Sequence, residues 1–265
     1  MKDRLGLRLN NDITSDPNNQ RIQKYCDYLV EWIRLRVKKA HAKGLVVGIS
    51  GGIDSALVVA LAKRAFPENT LGIVMPIDNM EHDLGDIKQL SSNIGLHTKT
   101  INLHSTFSEI SAVCNVENKM ALSNIKPRIR MAALYAIAQQ NSYLVAGTDN
   151  EDEMYIGYFT KYGDGGVDIL PISRLLKNEV KLMAKYLNIP DSIINKKPSA
   201  GLWARQNDED ELGFSYDELD NYLNNRVELL NIETKTKIKQ MHKATQHKRC
   251  KPYQPKTIEQ FLKEN

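Results

Sequence analysis

The chain has 265 residues, 42% of them hydrophobic and 26% charged, with a net charge of +4. That suits one large α/β domain or two small ones around a sizeable core, and so small a charge does not point to nucleic acid as a partner. No stretch approaches about 18 consecutive apolar residues, so no membrane contact is expected; Met1–Gly6 has no apolar signal core, and three scattered cysteines (Cys26, Cys114, Cys250) without a Cys-x-x-Cys pair fit a reducing cytoplasm rather than a zinc or disulfide scaffold.

Residues 1–17 are polar, end at Pro17 and read as a flexible arm. Ile22, Tyr25, Cys26, Leu29, Val30, Ile33 and Val37 then recur at helical spacing. Leu45–Ile49 is a β-branched apolar run that reads as a buried parallel strand, and Leu57–Ala62 reads as the helix packed on it. Leu71–Met75 reads as strand two, Asp86–Ile94 as a helix stopped by Gly95, Thr98–Leu103 as strand three and Ser108–Val113 as a short helix. A longer helix is expected over Pro127–Gln139, with Ile129, Ala132, Ala133, Ala136 and Ile137 inward, and strand four over Tyr143–Ala146. Beyond Gly147 the pattern changes to an aromatic, Gly-rich stretch (Tyr158–Gly166), a helix over Lys177–Leu187 and a capping box at Ser215-Tyr216-Asp217-Glu218. The alternation predicts an α/β fold, a doubly wound parallel sheet with flanking helices, as one unit over residues 1–265. Ligands bind such sheets outside the carboxyl ends of the strands, where both Ser50 and Gly147 fall.

The string Ser50-Gly51-Gly52-Ile53-Asp54-Ser55 lies between the first strand and its helix. Unpaired N–H groups and the helix dipole make such a turn an anion site, glycines let a phosphate approach, and Ser50 and Ser55 add donors. Asp54 would repel a bare phosphate; it makes sense with a magnesium ion between carboxylate and phosphate. The alternative is a plain Gly-Gly turn capped by Asp or Ser. The string is not the kinase-type phosphate loop, which needs Gly-Lys-Ser/Thr; it resembles the pyrophosphate loop of the ATP pyrophosphatases.

Two further strings, Gly147-Thr148-Asp149-Asn150-Glu151-Asp152-Glu153 and Gly157-Tyr158-Phe159-Thr160-Lys161-Tyr162-Gly163-Asp164-Gly165-Gly166, followed by Asp168 and Pro171, resemble ammonia-dependent NAD synthetases. Lys126–Met131, Lys197–Ala200, Glu211–Gly213 and His247–Arg249 follow in that family's order, over roughly residues 20–250. The resemblance implies an adenine nucleotide alpha hydrolase-like fold and amidation of deamido-NAD by ammonia, with ATP split to AMP and pyrophosphate through an acyl-adenylate. It implies that Gly48, Ile49, Ser50, Gly51, Gly52, Ile53, Asp54 and Ser55 hold ATP together with Thr148, Lys177 and Ser199; that Asp54 and Glu153 hold magnesium; and that Arg128, Lys161, Asp168, His247 and Lys248 touch deamido-NAD. Asp54, Lys177 and Asp168 are the implied catalytic residues, Asp168 as an anion that attracts ammonium and helps take its proton. A homodimer is implied too.

Each placement has an ordinary rival: Arg128 and Lys177 as surface charges, Asp168 as a turn residue, Glu153 as part of a solvated acidic run, and the basic 245–265 segment as a solvated tail. His242 is read as structural. The sequence departs from the usual family pattern at Asn150–Glu153, at Ser199-Ala200-Gly201-Leu202 and at Ile77–Met80, which leaves the adenine-side contacts and the subgroup open. There is no room for an added amidase domain, so free ammonia is the expected nitrogen source. Residues 201–214 and 245–260 are expected to act as mobile lids. The runners-up are another ATP pyrophosphatase, such as a GMP synthetase or a tRNA thiolase, and a non-catalytic nucleotide sensor.

Overall fold

The computed structural model of the protein describes residues 16–78, 80–199, 201, 203 and 206–264. The expected arm at residues 1–17 lies outside them up to residue 15, as do Ala200 and Leu202 of the departing string. In chain order the elements are α1 (Asp16–Lys39), β1 (Gly44–Gly48), α2 (Ile53–Ala65), β2 (Thr70–Val74), α3 (Glu81–Ile94), β3 (His97–Thr100), α4 (His104–Val113), α5 (Lys119–Asn141) and β4 (Tyr143–Ala146). They continue with α6 (Glu151–Ile156), α7 (Lys177–Tyr186), α8 (Asp191–Ile194), α9 (Asp208–Leu212), α10 (Tyr216–Leu223), α11 (Ile232–Ala244), α12 (Gln246–Arg249) and α13 (Ile258–Glu264).

The four strands form one parallel sheet in the order β3-β2-β1-β4. Leu45 of β1 pairs with Thr70 on one side and Leu144 on the other. The chain thus runs outward from β1 through β2 to β3, then returns to the far side of β1. The strand order reverses between β1 and β4, and their carboxyl ends flank a crevice there.

Alternation along β1 sorts its side chains onto two cores. Leu45 and Val47 pack with α1, α2 and α7 in the larger core, whereas Val46 joins Ile73, Val145 and Ala138 on the other face. Helix α2 is buried nearly all round, from Ile53 through Ala65, because it is sandwiched between the sheet, α1 and α7. A third, smaller core (Ile156, Leu176, Leu212, Phe214, Leu219, Leu223, Leu230, Ile238) gathers α6, α9, α10 and α11.

The helices expected from Leu57, Asp86 and Ser108 begin earlier, at Ile53, Glu81 and His104, and two further elements differ. β3 ends at Thr100, not Leu103, and all four of its residues are exposed at the sheet edge. Ile101 and Leu103 still donate to Val74 O and Pro76 O, at 2.8 Å each, but outside a regular ladder. Helix α5 starts eight residues before Pro127, where the Asn118 side chain accepts the Ala121 amide at 3.0 Å. Proline favours a first turn, which makes it a false start signal when it sits inside a helix. Of the residues expected to face inward, Ile129, Ala133 and Ile137 pack on the sheet, while Ala132 and Ala136 sit one row round the helix and are exposed.

The entry to β1 is tightly specified. A Cβ on Gly44 would lie 2.0 Å from the Asn69 carbonyl oxygen, which accepts the Leu45 amide at 2.9 Å. Gly44→Ala is therefore expected to lower stability by about 1–3 kcal/mol in urea denaturation. An unchanged midpoint would mean that the strand entry shifts freely.

Candidate active site

The turn between β1 and α2 is held by its own hydroxyls. Ser55 Oγ donates to Gly52 O at 3.0 Å, the Ser50 amide donates to Ser55 Oγ at 3.3 Å, and the Gly52 amide donates to Ser50 Oγ at 3.2 Å. Gly51 takes a left-handed φ of +83°, which favours glycine. Gly52, the residue before α2, supplies no side-chain cap, so the first amides of that helix stay available to an anion.

Beside this turn sits a buried charge cluster. Lys177 Nζ donates to Asp54 Oδ2 at 2.5 Å and lies 3.5 Å from Glu153 Oε1. The lysine side chain is 3% exposed, those of Asp54 and Glu153 17% and 15%. Asn150 caps α6 through its side-chain oxygen, and its amide nitrogen donates to Asp54 Oδ1 at 3.0 Å. Burial draws the Lys177 ammonium down, but Asp54 and Glu153 outweigh it and hold the ammonium above the ordinary lysine value. Burial pushes the Glu153 carboxyl up, Lys177 pulls it back and Asp54 pushes it up again, leaving it at about 7.

Lys177 is the first residue of α7, where a cation opposes the helix dipole. Two carboxylates offset this. The Lys177 amide donates to Asp152 Oδ2 at 2.8 Å and to Asp220 Oδ1 at 3.2 Å, and the Asn178 amide to Asp220 Oδ2 at 3.1 Å. The Tyr216 ring lies 4.8 Å beneath the ammonium, and its hydroxyl donates to Asp208 Oδ2 at 3.2 Å.

The site's acids fit a divalent cation. Among the described residues no group of three or more His, Cys, Asp or Glu forms an all-protein cage. Magnesium needs none, since one or two carboxylates plus phosphate oxygens and water suffice. Asp149 Oδ2 is buried without a hydrogen-bond partner. Burial, then Asp164, Glu153 and Asp54, push the Asp149 carboxyl well above its usual range.

Three of the five residues expected at the second substrate, Arg128, Lys161 and His247, are joined by contacts, and Lys248 reaches backbone carbonyls instead. Arg128 Nε donates to Lys161 O at 3.4 Å, Lys161 Nζ donates to His247 O, and Lys248 Nζ donates to Gly157 O and Phe159 O at 2.7 Å each. Asp168 stands apart from them. It is exposed, and its carboxylate accepts the Val145 amide at 2.8 Å and the Tyr135 hydroxyl at 3.1 Å. Thr148 follows the carboxyl end of β4. Ser199 is exposed, its hydroxyl accepting the Gly201 amide at 3.2 Å. His242 donates from Nδ1 to Tyr155 O at 2.7 Å and stacks on the Tyr155 ring, as a structural histidine does.

Sequence reasoning missed Asn150, Asp152, Tyr216 and Asp220. Asn150-x-x-Glu153 carries a legible signal, a capping box that orients Glu153. Asp220 carries none, because its partners lie over forty residues away.

Comparison with known proteins gives the family and the fold. Residues 25–252 match the NAD synthase family model. The NH(3)-dependent NAD(+) synthetase of Mycoplasmopsis pulmonis is 52% identical over 245 residues, covering 92% of this chain and 95% of that protein. Among solved structures, the NMN synthetase of Francisella tularensis superposes with a TM-score of 0.84 at 36% identity, covering 89% of this chain and 99% of that one. The NH3-dependent NAD synthetase of Campylobacter jejuni superposes with a TM-score of 0.77 at 30% identity, covering 89% and 99%. With a family match over most of its length and a relative sharing half its residues, the chain belongs to the NAD synthase family.

Proposed function

We propose that this chain amidates the nicotinate carboxylate of deamido-NAD with ammonia, splitting ATP to AMP and pyrophosphate. The observation that carries the reading is the Asp54–Lys177–Glu153 cluster at the mouth of the Ser50–Ser55 turn. A carboxylate is a poor acyl donor. Attack of its oxygen on the α-phosphorus of ATP forms an acyl-adenylate and expels pyrophosphate. Ammonia then adds to the activated carbonyl, loses a proton, and AMP departs.

Residues 48–55 offer amides and hydroxyls to the phosphates, with Thr148 and Ser199 as further ATP contacts. Lys177 faces the charge that builds on the leaving diphosphate, its backbone amide already held by Asp152 and Asp220 so that little reorganisation is needed. Asp54 and Glu153 would hold magnesium, which when bound neutralises that same diphosphate. Arg128, Lys161, His247 and Lys248 supply positive charge and donors to the second polyanion. Asp168 is the candidate to attract ammonium, its exposure compatible with that role. Ile110 and Val113 on α4 and Met120 on α5 are exposed apolar side chains that a second copy would cover, which supports a homodimer. Among the described residues no helix is long and apolar enough to cross a membrane, which supports a cytoplasmic enzyme.

A second reading of the acceptor rests on the similar Francisella protein, named an NMN synthetase: nicotinate mononucleotide carries the same reacting carboxylate. Incubation with ATP, magnesium and ammonium, and either acceptor, separates the two. We expect NAD, AMP and pyrophosphate in equal amounts with deamido-NAD, and slower turnover of the mononucleotide. Faster turnover of the mononucleotide would reassign the substrate, and ADP as the spent nucleotide would end the reading.

Asp54→Asn is expected to slow adenylation about a hundredfold or more, measured as pyrophosphate release. Normal release would remove Asp54 from the machinery. Asp168→Asn is expected to slow amide formation more than pyrophosphate release; a full rate at every pH would remove the ammonium role. Lys177→Met leaves two carboxylates facing each other, so it is expected to cost about 3–5 kcal/mol in chelator. Magnesium should then raise its melting temperature more than that of the parent protein in calorimetry. A variant indifferent to magnesium would contradict the cation site.

A further inference from the structure

One cation beside the phosphate turn has no part in the mechanism above. Lys196, in the segment after α8, donates from Nζ to Asp83 Oδ1 at 2.6 Å and to Asp86 Oδ2 at 2.9 Å, both on α3. Asp86 is held independently, since Ser192 Oγ donates to its Oδ1 at 2.7 Å. Asp83 instead leans on the turn. A Cβ built on Gly51 would lie 2.8 Å from Asp83 Cβ and 3.1 Å from its Oδ1. The Lys196 ammonium is thus one carboxylate away from the Gly51 backbone.

This arrangement is at odds with an anion site. Asp83, Asp86 and Lys196 together carry one net negative charge, and a phosphate bound at the turn would meet that charge beside Gly51. Lys196 can resolve the conflict. Its side chain is 34% exposed and flexible, and Asp86 keeps its serine partner when the ammonium turns. Ser199, three residues further on, is already an expected ATP contact, so the segment is in place to face the nucleotide.

We propose that Lys196 is a ligand of the β- and γ-phosphates of ATP, held in reserve by Asp83, and that nucleotide binding exchanges the Asp83 carboxylate for a phosphate oxygen. Departure of pyrophosphate reverses the exchange, so that Asp83 competes for the lysine and speeds release of the product. The inference rests on the reading that the Ser50–Ser55 turn holds ATP. It adds a device that distinguishes the triphosphate from AMP, since AMP has no phosphate that reaches the lysine.

The test is calorimetric titration of the full chain with magnesium and α,β-methylene ATP, and separately with AMP, alongside pyrophosphate inhibition of turnover. Loss of a charged hydrogen bond in Lys196→Met is expected to weaken the ATP analogue about tenfold or more while AMP changes less than about twofold. Lys196→Arg keeps the charge and should return the analogue to within about threefold of the parent. Asp83→Asn removes the competitor and should tighten both the analogue and inhibitory pyrophosphate by about threefold or more. Unchanged analogue binding in Lys196→Met overturns the proposal. So does equal weakening of analogue and AMP, or an Asp83→Asn variant that weakens the analogue as Lys196→Met does, since each marks a mere brace between α3 and the α8 segment. Asp54→Asn is the control: if it alone lowers turnover while Lys196→Met changes nothing, only the lysine assignment falls, whereas full turnover of Asp54→Asn removes the underlying reading.

Discussion

A buried ammonium must find its counter-charges, and Lys177 finds Asp54 from 123 residues away in the chain. Satisfying that one pair brings the start of α7 against the start of α2. The same approach is driven by apolar packing: Val180, Met183 and Ala184 of α7 share the large core with Leu57, Val58 and Leu61 of α2. Core and site therefore enforce each other. A shift of α7 that broke the ion pair would also open that core, and a repacked core would leave the lysine unpaired.

The cluster in turn depends on carboxylates remote from the turn. Placing a lysine at a helix start opposes the dipole, and Asp152 and Asp220 offset this by accepting the first amides of α7. Asp220 belongs to α10, which packs in the small third core. That core, seemingly an appendage to the sheet, is what brings the anion to the helix that carries Lys177.

Helix α6 links the two halves of the site. Its cap, Asn150, donates to Asp54 on the nucleotide side, and the carbonyl of Gly157 just beyond its last residue accepts from Lys248. Six residues of helix span about 9 Å, so one short element sets the distance between the Asp54 cluster and the Lys248 contacts. Lys161 and Lys248 are parked on backbone carbonyls, which satisfies their donors while leaving their charge beside Arg128 and His247.

Much of this is legible in the sequence. The apolar runs placed β1, β2 and β4 to within a residue and the helix at Lys177 at its start, because strand burial and 3.6-residue periodicity are local signals. The Ser50–Ser55 turn is legible because the left-handed φ of Gly51 favours glycine, and the family resemblance points to Glu153 and Lys177. The start of α5 was misjudged because Pro127 imitates a first turn, and the edge strand β3 was overextended because an exposed strand has no burial pattern to end it. Local pattern alone set the sheet, the Gly-rich turn and the residue types around it, through short-range sterics and hydrophobic spacing. That Lys177 lies clamped between Asp54 and Glu153, braced by Asp220, and that Asp83 crowds Gly51 while holding Lys196, was settled by the packed fold, since a charge pair across a hundred residues leaves no trace in local pattern and exists only once the cores have packed.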